Sequence, residues 1–511
     1  MGLWVLEGVP RARPASPGGR ASSGIVPALL GLLGFVISFA GSWRPSFWGD
    51  EGASVMSAER SLPSLFRMLG NVDAVHGTYY LFLHYWTGLF GSSELSARLP
   101  SAIAIGVATA GTFVLARSLV NERLALVAAL VFVILPRVTY SGAEARSAAL
   151  ATAVAVWSTV ILVRGLRATG ASVNIRRSLW AGYAALLAAG IYLFLDFALI
   201  LPAHALAVLV LSDAGATRKR MLGSWGLSTA IALVVAGPVL FFGLSEHEQI
   251  AFLATRPPAD LRSVAVIQWF GNVPLAILAW ALILLGVATV FAGRHLASAP
   301  ATTRRELAVI LAWSVVPTAA LVLGSRLGAP MYAPRYLAFC TPAIAIAIAV
   351  GILAIRIRWI QVSAVALAVA LAAPTYLSQR GEFAKSRSDW RQASEVVEAG
   401  ASPGDAVVFY EDMRPSRRPR LALHLYPEAF QGLRDVTLDE PFHSTDGLWD
   451  TTFPLASVAT ELSGTNRVWL LHYVETDGTT DETNLTVLQR LGFTIVDSTT
   501  FRRTTVIEMA R

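Results

Sequence analysis

The sequence predicts a polytopic α-helical membrane protein of about eleven transmembrane helices, followed by an extracytoplasmic α/β domain. Three observations carry the prediction. Of its 511 residues 54% are apolar and 15% charged, with a mean hydropathy of +0.56, whereas soluble domains carry about 25% charged residues. A series of stretches approaches the ~20 mostly apolar residues that a span requires. Beyond about residue 377 the composition turns mixed and shows the alternation of strands and amphipathic helices.

In chain order, residues 1–22 form a cytoplasmic tail carrying Arg11, Arg13 and Arg20. Basic residues before an apolar run resemble a signal peptide, but no convincing small-x-small cleavage site follows, so the run reads as a retained first helix. Residues 23–377 form the transmembrane domain. Spans fall near 23–41, 99–117, 121–138, 147–164, 178–194, 195–212, 221–243, 273–292, 307–324, 336–354 and 358–377. With the N-terminus inside, the short inner loops hold Arg117 and Arg123; Arg164, Arg167, Arg176 and Arg177; Arg218, Lys219 and Arg220; Arg294, Arg304 and Arg305; Arg356 and Arg358. Every one is basic, as the positive-inside bias demands. The net charge of +7 is thus a matter of topology and implies no nucleic-acid partner. The single cysteine, Cys340, excludes an intramolecular disulfide and a cysteine-based metal site.

Outer segments 42–97, 140–147 and 245–272 are too long or too polar for simple turns. Residues 53–69 and 77–90 suit helices lying in the interface plane, with Tyr79, Tyr80, Tyr85 and Trp86 at headgroup level. Residues 378–511 are the extracytoplasmic domain: helices over 388–399 and 485–491, strands over 405–410 and 467–473, and a closing pair, 494–496 with 504–509. Between them 411–453 reads as irregular.

The ionisable residues outside the inner loops gather at outer helix ends, not at the midplane. Asp50 and Glu51 follow the first span at the membrane boundary, where carboxylates are costly unless they act. Asp50 is either a catalytic base or an N-cap of the next helix. Helical neighbours project about 100° apart, so only one of the two acids faces a cavity. Asp73 has the position of a cap for the helix of Tyr79, and His76 stands beside Gly77 where it could meet a phosphate or a sugar hydroxyl. Ser141 and Glu144 have capping-box spacing, whereas Arg146 in a first helical turn opposes the dipole unless an anion binds there. Tyr332 and Arg335 open a late span; Arg335 suits bidentate phosphate contact or snorkels. Asp196 is a further cavity candidate, and His204 reads as a core histidine. In the third outer segment Glu246, His247, Glu248, Gln268 and Trp269 suit a sugar.

The order of these motifs resembles the polytopic GT-C glycosyltransferases, in particular the bacterial relatives of the protein O-mannosyltransferases and aminoarabinose transferases, of actinobacterial type. Trp48-Gly49-Asp50-Glu51 resembles their first-loop D-E motif, and His76-Gly77-Thr78-Tyr79-Tyr80-Leu81 the segment ending Leu-Tyr-Tyr in relatives. Glu144-Ala145-Arg146 resembles Q-E-A-R-x-Y, and Ala333-Pro334-Arg335-Tyr336-Leu337 resembles R-Y-L. Asp389-Trp390-Arg391 with Pro403-Gly404-Asp405 resembles the start of the C-terminal domain in actinobacterial members. The resemblance spans roughly residues 20–400. Gly142-Ala143 in place of Ser-Gln, and Ser147-Ala148 in place of a Tyr-bearing pair, depart from the pattern.

The resemblance implies the GT-C fold and an inverting transfer of mannose or arabinofuranose from a polyprenyl-phosphate donor to a glycan, lipid or protein acceptor outside the cytoplasmic membrane. Asp50 would be the catalytic base, and Arg146 and Arg335 would meet the developing phosphate charge. His76 would assist them, Glu144 would hold Arg146 or a sugar hydroxyl, and Glu51, Asp73, Tyr79, Tyr332 and Asp196 would complete the substrate-binding set. A phosphate is already a good leaving group, so no paired general acid is needed, unlike in glycosidases. No cofactor is implied beyond the lipid-linked sugar as co-substrate; a divalent metal stays open. The competing readings are a transporter or lipid flippase, which would need midplane charges or inverted repeats, and a non-catalytic scaffold that binds cell-wall glycans.

Overall fold

A computed structural model describes residues 24–245, 259–292, 304–328, 331–474 and 483–511. The tail 1–22, Arg294 and the trio Glu246–Glu248 lie outside the described residues. The membrane part runs α1 (Ile25–Phe39), α2 (Gly49–Glu59), α3 (Leu62–Leu69), α4 (Gly77–Phe90), α5 (Glu94–Leu119), α6 (Glu122–Ile134), α7 (Pro136–Ser141), α8 (Ala148–Arg167), α9 (Val173–Leu193), α10 (Leu201–Leu211), α11 (Ala216–Val235), α12 (Gly237–Ser245), α13 (Val273–Phe291), α14 (Arg304–Leu327), α15 (Thr341–Ala354) and α16 (Arg358–Ser378).

Local chemistry sets the helix starts. Ser93, Asn121, Ser172 and Asn272 each accept the N3 amide of the helix that follows them, the role short polar side chains fill best. Small residues set the packing: a Cβ on Gly351 would lie 1.9 Å from the Leu282 carbonyl oxygen, and one on Gly34 would lie 2.2 Å from Thr109 Oγ1. Those glycines let α15 meet the α13 backbone and α1 close on the Thr109 side chain of α5, the usual device for helices that lipid cannot drive together.

The expected spans fall on helices, yet their count changes. Among the described residues six helices are long and apolar enough to cross a membrane: α5, α8, α13, α14, the stretch Pro334–Ala354 and α16. The pair α11–α12 bends by 61° and would make a seventh. Helix α1 and the stretch Leu195–Leu211 are shorter, and α6 has 13 residues. This is a multi-pass membrane protein; among the described residues, length and composition do not confirm eleven full spans. Helices α2, α3 and α4 occupy segment 42–97, where the sequence predicts helices over 53–69 and 77–90.

Beyond α16 come α17 (Trp390–Gly400), β1 (Ala406–Phe409), α18 (Leu421–Leu425), β2 (Arg434–Asp435), β3 (Leu438–Glu440), β4 (Thr451–Thr452), β5 (Arg467–Tyr473), α19 (Thr483–Arg490), β6 (Thr494–Thr500) and β7 (Thr504–Ala510). The main sheet has the order β2-β1-β5-β7-β6, parallel from β2 to β5 and antiparallel from β5 to β6. The expected helix and strands are present, and 411–453 carries short elements between turns. One face of the sheet closes on its own core of Leu455, Leu462, Leu488 and Phe493. The other face shares a core with the outer loop: Trp390, Val397, Val407 and Phe409 pack with Phe47, Val55, Met56 and Ala145. The C-terminal domain therefore rests on α2. Gly49 shows how closely, because a Cβ there would lie 2.0 Å from the backbone oxygen of Ser416.

Candidate active site

Two adjacent acids on α2 face opposite fates. Glu51 has a side-chain exposure of 0%, against 25% for Asp50. Glu51 Oε1 and Oε2 accept from Arg98 Nε and Nη2 at 2.7 and 2.6 Å, and Oε1 also accepts the amide of Ala145 at 2.8 Å. Arg98 Nη1 donates in turn to the carbonyls of Ser42 and Pro45, each at 2.7 Å. Burial alone would raise the Glu51 pKa; the charge and hydrogen bonds of Arg98 outweigh it and hold the carboxyl below its usual range. This buried pair knits loop 42–46, α2, α5 and the 142–147 turn into one rigid block.

Asp50, one residue earlier, points to the open side. Its Oδ2 accepts from Arg335 Nη2 at 2.8 Å, and among the described residues Oδ1 has no hydrogen-bond partner. Arg335 comes from the 3-10 turn Pro334–Cys340 ahead of α15, with its guanidinium carbon 5.5 Å from the ring of Trp48 and 5.7 Å from that of Tyr336. Arg146 also meets α2, donating from Nη1 to the Asp50 carbonyl at 3.1 Å and to Ser54 Oγ at 3.2 Å. Its Nη2 donates to His76 Nε2 at 3.0 Å. Burial and the Arg146 charge pull the His76 pKa down to about 4, so the ring is neutral and Nε2 is free to accept. Burial also works against the Arg146 cation, but Tyr80, Asp50 and Asp73 outweigh it and raise its pKa. Tyr80 Oη donates to Asp73 Oδ2. Arg335 thus holds one carboxylate oxygen of Asp50 and Arg146 holds its backbone carbonyl, while Oδ1 has no hydrogen-bond partner among the described residues.

Glu144 lies behind this front, 3% exposed, in the turn between α7 and α8. Its Oε1 has no hydrogen-bond partner among the described residues. Burial raises its pKa, and the charge of Lys385 works against that rise. Beside Arg335 opens a cavity of about 320 Å³, lined among others by Arg137, Tyr140, Ile267, Gly271 and Pro334. A larger cleft of about 690 Å³ between α9 and α11 contains none of the site residues.

Several sequence expectations change. Asp50 does not cap α2: the N-cap is Trp48, and Asp50 lies inside the first turn, where its charge suits the dipole. Asp73 makes no capping bond and adopts a left-handed φ of 63°, turning its carboxylate to Tyr80 instead. The Ser141–Glu144 capping box does not form, because α7 ends at Ser141 and α8 begins only at Ala148. Gly142, pressed against Ser38, turns the chain there. Arg146 accordingly precedes a helix and sits in no first turn. Glu51 has both oxygens occupied by Arg98 and the Ala145 amide, and Tyr79 is buried, 1% exposed among Leu65, Met68 and Leu83. Tyr332 is tied to Gln268 Oε1 at 2.9 Å, and no hydrogen bond or ion pair among the described residues joins it or Asp196 to Asp50. His204 is the expected core histidine, held by Thr159 and Tyr183. Sequence reasoning passed over Arg98, Arg137, Tyr140 and Lys385. A charge at the outer end of an apolar run was the available signal for the two arginines; nothing local marks Lys385. Among the described residues no three His, Cys, Asp or Glu side chains converge to hold a metal.

Residues 78–242 match the family model of the dolichyl-phosphate-mannose-protein mannosyltransferases. No curated protein matches the sequence. Among solved structures, ArnT from Cupriavidus metallidurans bound to undecaprenyl phosphate is similar over 96% of this chain and 98% of that one, at 16% identity and a TM-score of 0.57. The apo oligosaccharyltransferase of Archaeoglobus fulgidus is similar over 90% of this chain and 71% of that one, at 10% identity and a TM-score of 0.51. The arabinofuranosyltransferase AftD from Mycobacteria is similar over 96% of this chain and 40% of that one, at 15% identity and a TM-score of 0.51. The fold is that of these solved structures.

Proposed function

We propose that this GT-C chain is an inverting glycosyltransferase that moves a sugar from a polyprenyl-phosphate donor to an acceptor hydroxyl outside the cytoplasmic membrane, with Asp50 as general base. The observation that carries the reading is the geometry around Asp50: one carboxylate oxygen is free, the other is held by Arg335, and Arg146 donates to the Asp50 backbone carbonyl. A relative of the same fold holds undecaprenyl phosphate, which is the donor chemistry these cations suit.

The acceptor O–H donates to Asp50 Oδ1 and its oxygen attacks the anomeric carbon as that carbon's bond to the phosphate oxygen breaks. The proton passes to Asp50, the electron pair of the broken bond leaves with the polyprenyl phosphate, and the anomeric configuration inverts. Charge grows on the leaving phosphate, and Arg335 and Arg146 meet it as charge-assisted donors. Arg335 has a second duty before the donor arrives. Paired with Asp50, it occupies one carboxylate oxygen; drawn to the phosphate, it releases that oxygen. Donor binding then precedes activation of the acceptor. Neutral His76 accepts from Arg146 and fixes its fork, and Glu144 accepts from a sugar hydroxyl.

The test is transfer of label from polyprenyl-phosphate-mannose and polyprenyl-phosphate-arabinofuranose to membrane glycan, lipid or protein by membranes that contain the chain. Label that appears in acceptor with one donor, and not with membranes lacking the chain, supports the reading. Flux of donor across proteoliposomes without any transfer would favour a flippase instead.

A further inference from the structure

The loop that joins α16 to the C-terminal domain delivers a lysine into the interior of the site. Lys385 is 1% exposed. Its Nζ lies 3.7 Å from the ring centroid of Tyr140 and has no hydrogen-bond partner among the described residues. A buried ammonium without hydrogen bonds is expensive, so something must hold it in place. The loop is held at both ends. The Ser46 amide donates to the Glu382 carbonyl at 3.1 Å, and Asp389 accepts from the amides of Arg503 and Thr504 and from Thr504 Oγ1, at 2.6, 2.9 and 2.8 Å. Between those anchors Ser386 and Arg387 both adopt left-handed φ values, 53° and 61°. Left-handed non-glycine residues cost on the order of 1–3 kcal/mol each and persist where surrounding structure enforces them. The strain is stored directly after Lys385.

What faces the ammonium explains the expense. Glu144 from the α7–α8 turn and Glu51 from α2 attract it; Arg98 from α5 and Arg380 from the end of α16 repel it; Tyr140 from α7 presents its ring. Glu51 is already saturated by Arg98 and the Ala145 amide. Glu144 is not, because its Oε1 is unpartnered. We propose that Lys385 is a positioning residue of the transfer reaction: the C-terminal domain, by docking on α2, holds this ammonium in the field of Glu144, where its charge favours the carboxylate form and orients it to hold substrate.

This inference rests on the glycosyltransferase reading, and it makes the C-terminal domain part of the catalytic apparatus rather than an appended module. Burial, with Arg98 and Arg380, lowers the Lys385 pKa to about 8. Two consequences follow with definite sign. The stability cost of the buried charge is present below about pH 8 and relieved as pH rises. Turnover declines as pH rises through about 8, because Glu144 then loses its counter-charge.

The experiment compares purified full-length parent, Lys385→Met, Lys385→Arg, Glu144→Gln and Asp50→Asn. Transfer is followed from pH 5 to 10 with whichever of polyprenyl-phosphate-mannose and polyprenyl-phosphate-arabinofuranose the parent turns over, and thermal unfolding is measured in parallel. Lys385→Met is expected to unfold no earlier than the parent at pH 6–7, yet to transfer at least about tenfold more slowly there, with the acid limb moved up by about 1–3 pH units and the alkaline limb gone. Lys385→Arg restores part of the rate, and Glu144→Gln removes the acid limb. A Lys385→Met variant with the parent's rate and profile overturns the inference. So does one that unfolds early with both limbs in place, since that marks a structural strut. If Asp50→Asn remains fully active, it is the reading of the site that fails; if Asp50→Asn is inactive and Lys385→Met behaves as the parent, only the inference fails.

Discussion

Glu51→Gln tests the division of labour between the two neighbouring acids. In the parent, Arg98 is fully buried and makes two of its hydrogen bonds, both charge-assisted, to Glu51; the rest go to the carbonyls of Ser42, Pro45 and Ser46. Glutamine keeps one acceptor oxygen, puts an NH2 against the guanidinium and leaves the Arg98 charge uncompensated. Removing one partner of such a pair costs about 3–5 kcal/mol, enough to consume a large share of a typical 5–15 kcal/mol stability. The measurement is thermal unfolding of the purified protein in detergent at neutral pH, with transfer assayed on the folded fraction. The expected result is a marked fall in unfolding temperature and near-parental transfer per folded molecule. A double variant, Glu51→Met with Arg98→Met, leaves no orphan charge and should recover much of the loss. Because the Glu51 pKa is held below its usual range, its contribution is present at neutral pH and disappears as pH falls through that lowered value. An unchanged unfolding temperature in Glu51→Gln, combined with lost transfer, would refute the assignment and make Glu51 a substrate group.

Arg335→Ala should weaken donor use by about 10–150-fold in kcat/KM, the worth of a charge-assisted hydrogen bond of about 1.5–3 kcal/mol, while the fold stays intact; a parental kcat/KM would show that Arg335 does not meet the phosphate. His76 titrates near pH 4, so steady-state kinetics should show no limb between pH 5.5 and 7 that His76→Gln removes, and such a limb would mean that the imidazole carries charge in the working site. Gly351→Leu should prevent α15 from seating on α13, where even a Cβ meets Leu282 at 1.9 Å, and yield of folded protein reports it; normal yield would contradict that contact.

Much of the architecture was legible because it follows from local pattern. Apolar runs of span length became helices, and stretches 53–69 and 77–90 of the first outer segment became α2 to α4. Short apolar runs near 406, 467 and 504 became β1, β5 and β7. The motif Trp48-Gly49-Asp50-Glu51 was legible for a similar reason, since two acids beside an apolar run are conspicuous. What stayed hidden was long-range. Nothing around Glu51 announces Arg98, 47 residues away, and nothing around Lys385 announces Glu144 or Tyr140. The capping expectations at Asp73 and Ser141 failed because spacing alone cannot tell a helix start from a turn that the tertiary fold imposes. At Asp73 a left-handed residue redirects the carboxylate, and at Gly142 close packing on α1 stops the helix. Gly49 carries a reason that sequence could not supply: the backbone of the C-terminal domain passes where a side chain would stand.

Asp50→Asn addresses the central claim most directly. Asparagine keeps the side chain's shape and its contact with Arg335, removes the basic oxygen, and touches no buried charge pair. The account predicts full expression and parental thermal stability, with transfer from the polyprenyl-phosphate sugar reduced by about 10²–10⁴-fold, the usual worth of a general base. Parental transfer by folded Asp50→Asn would contradict it.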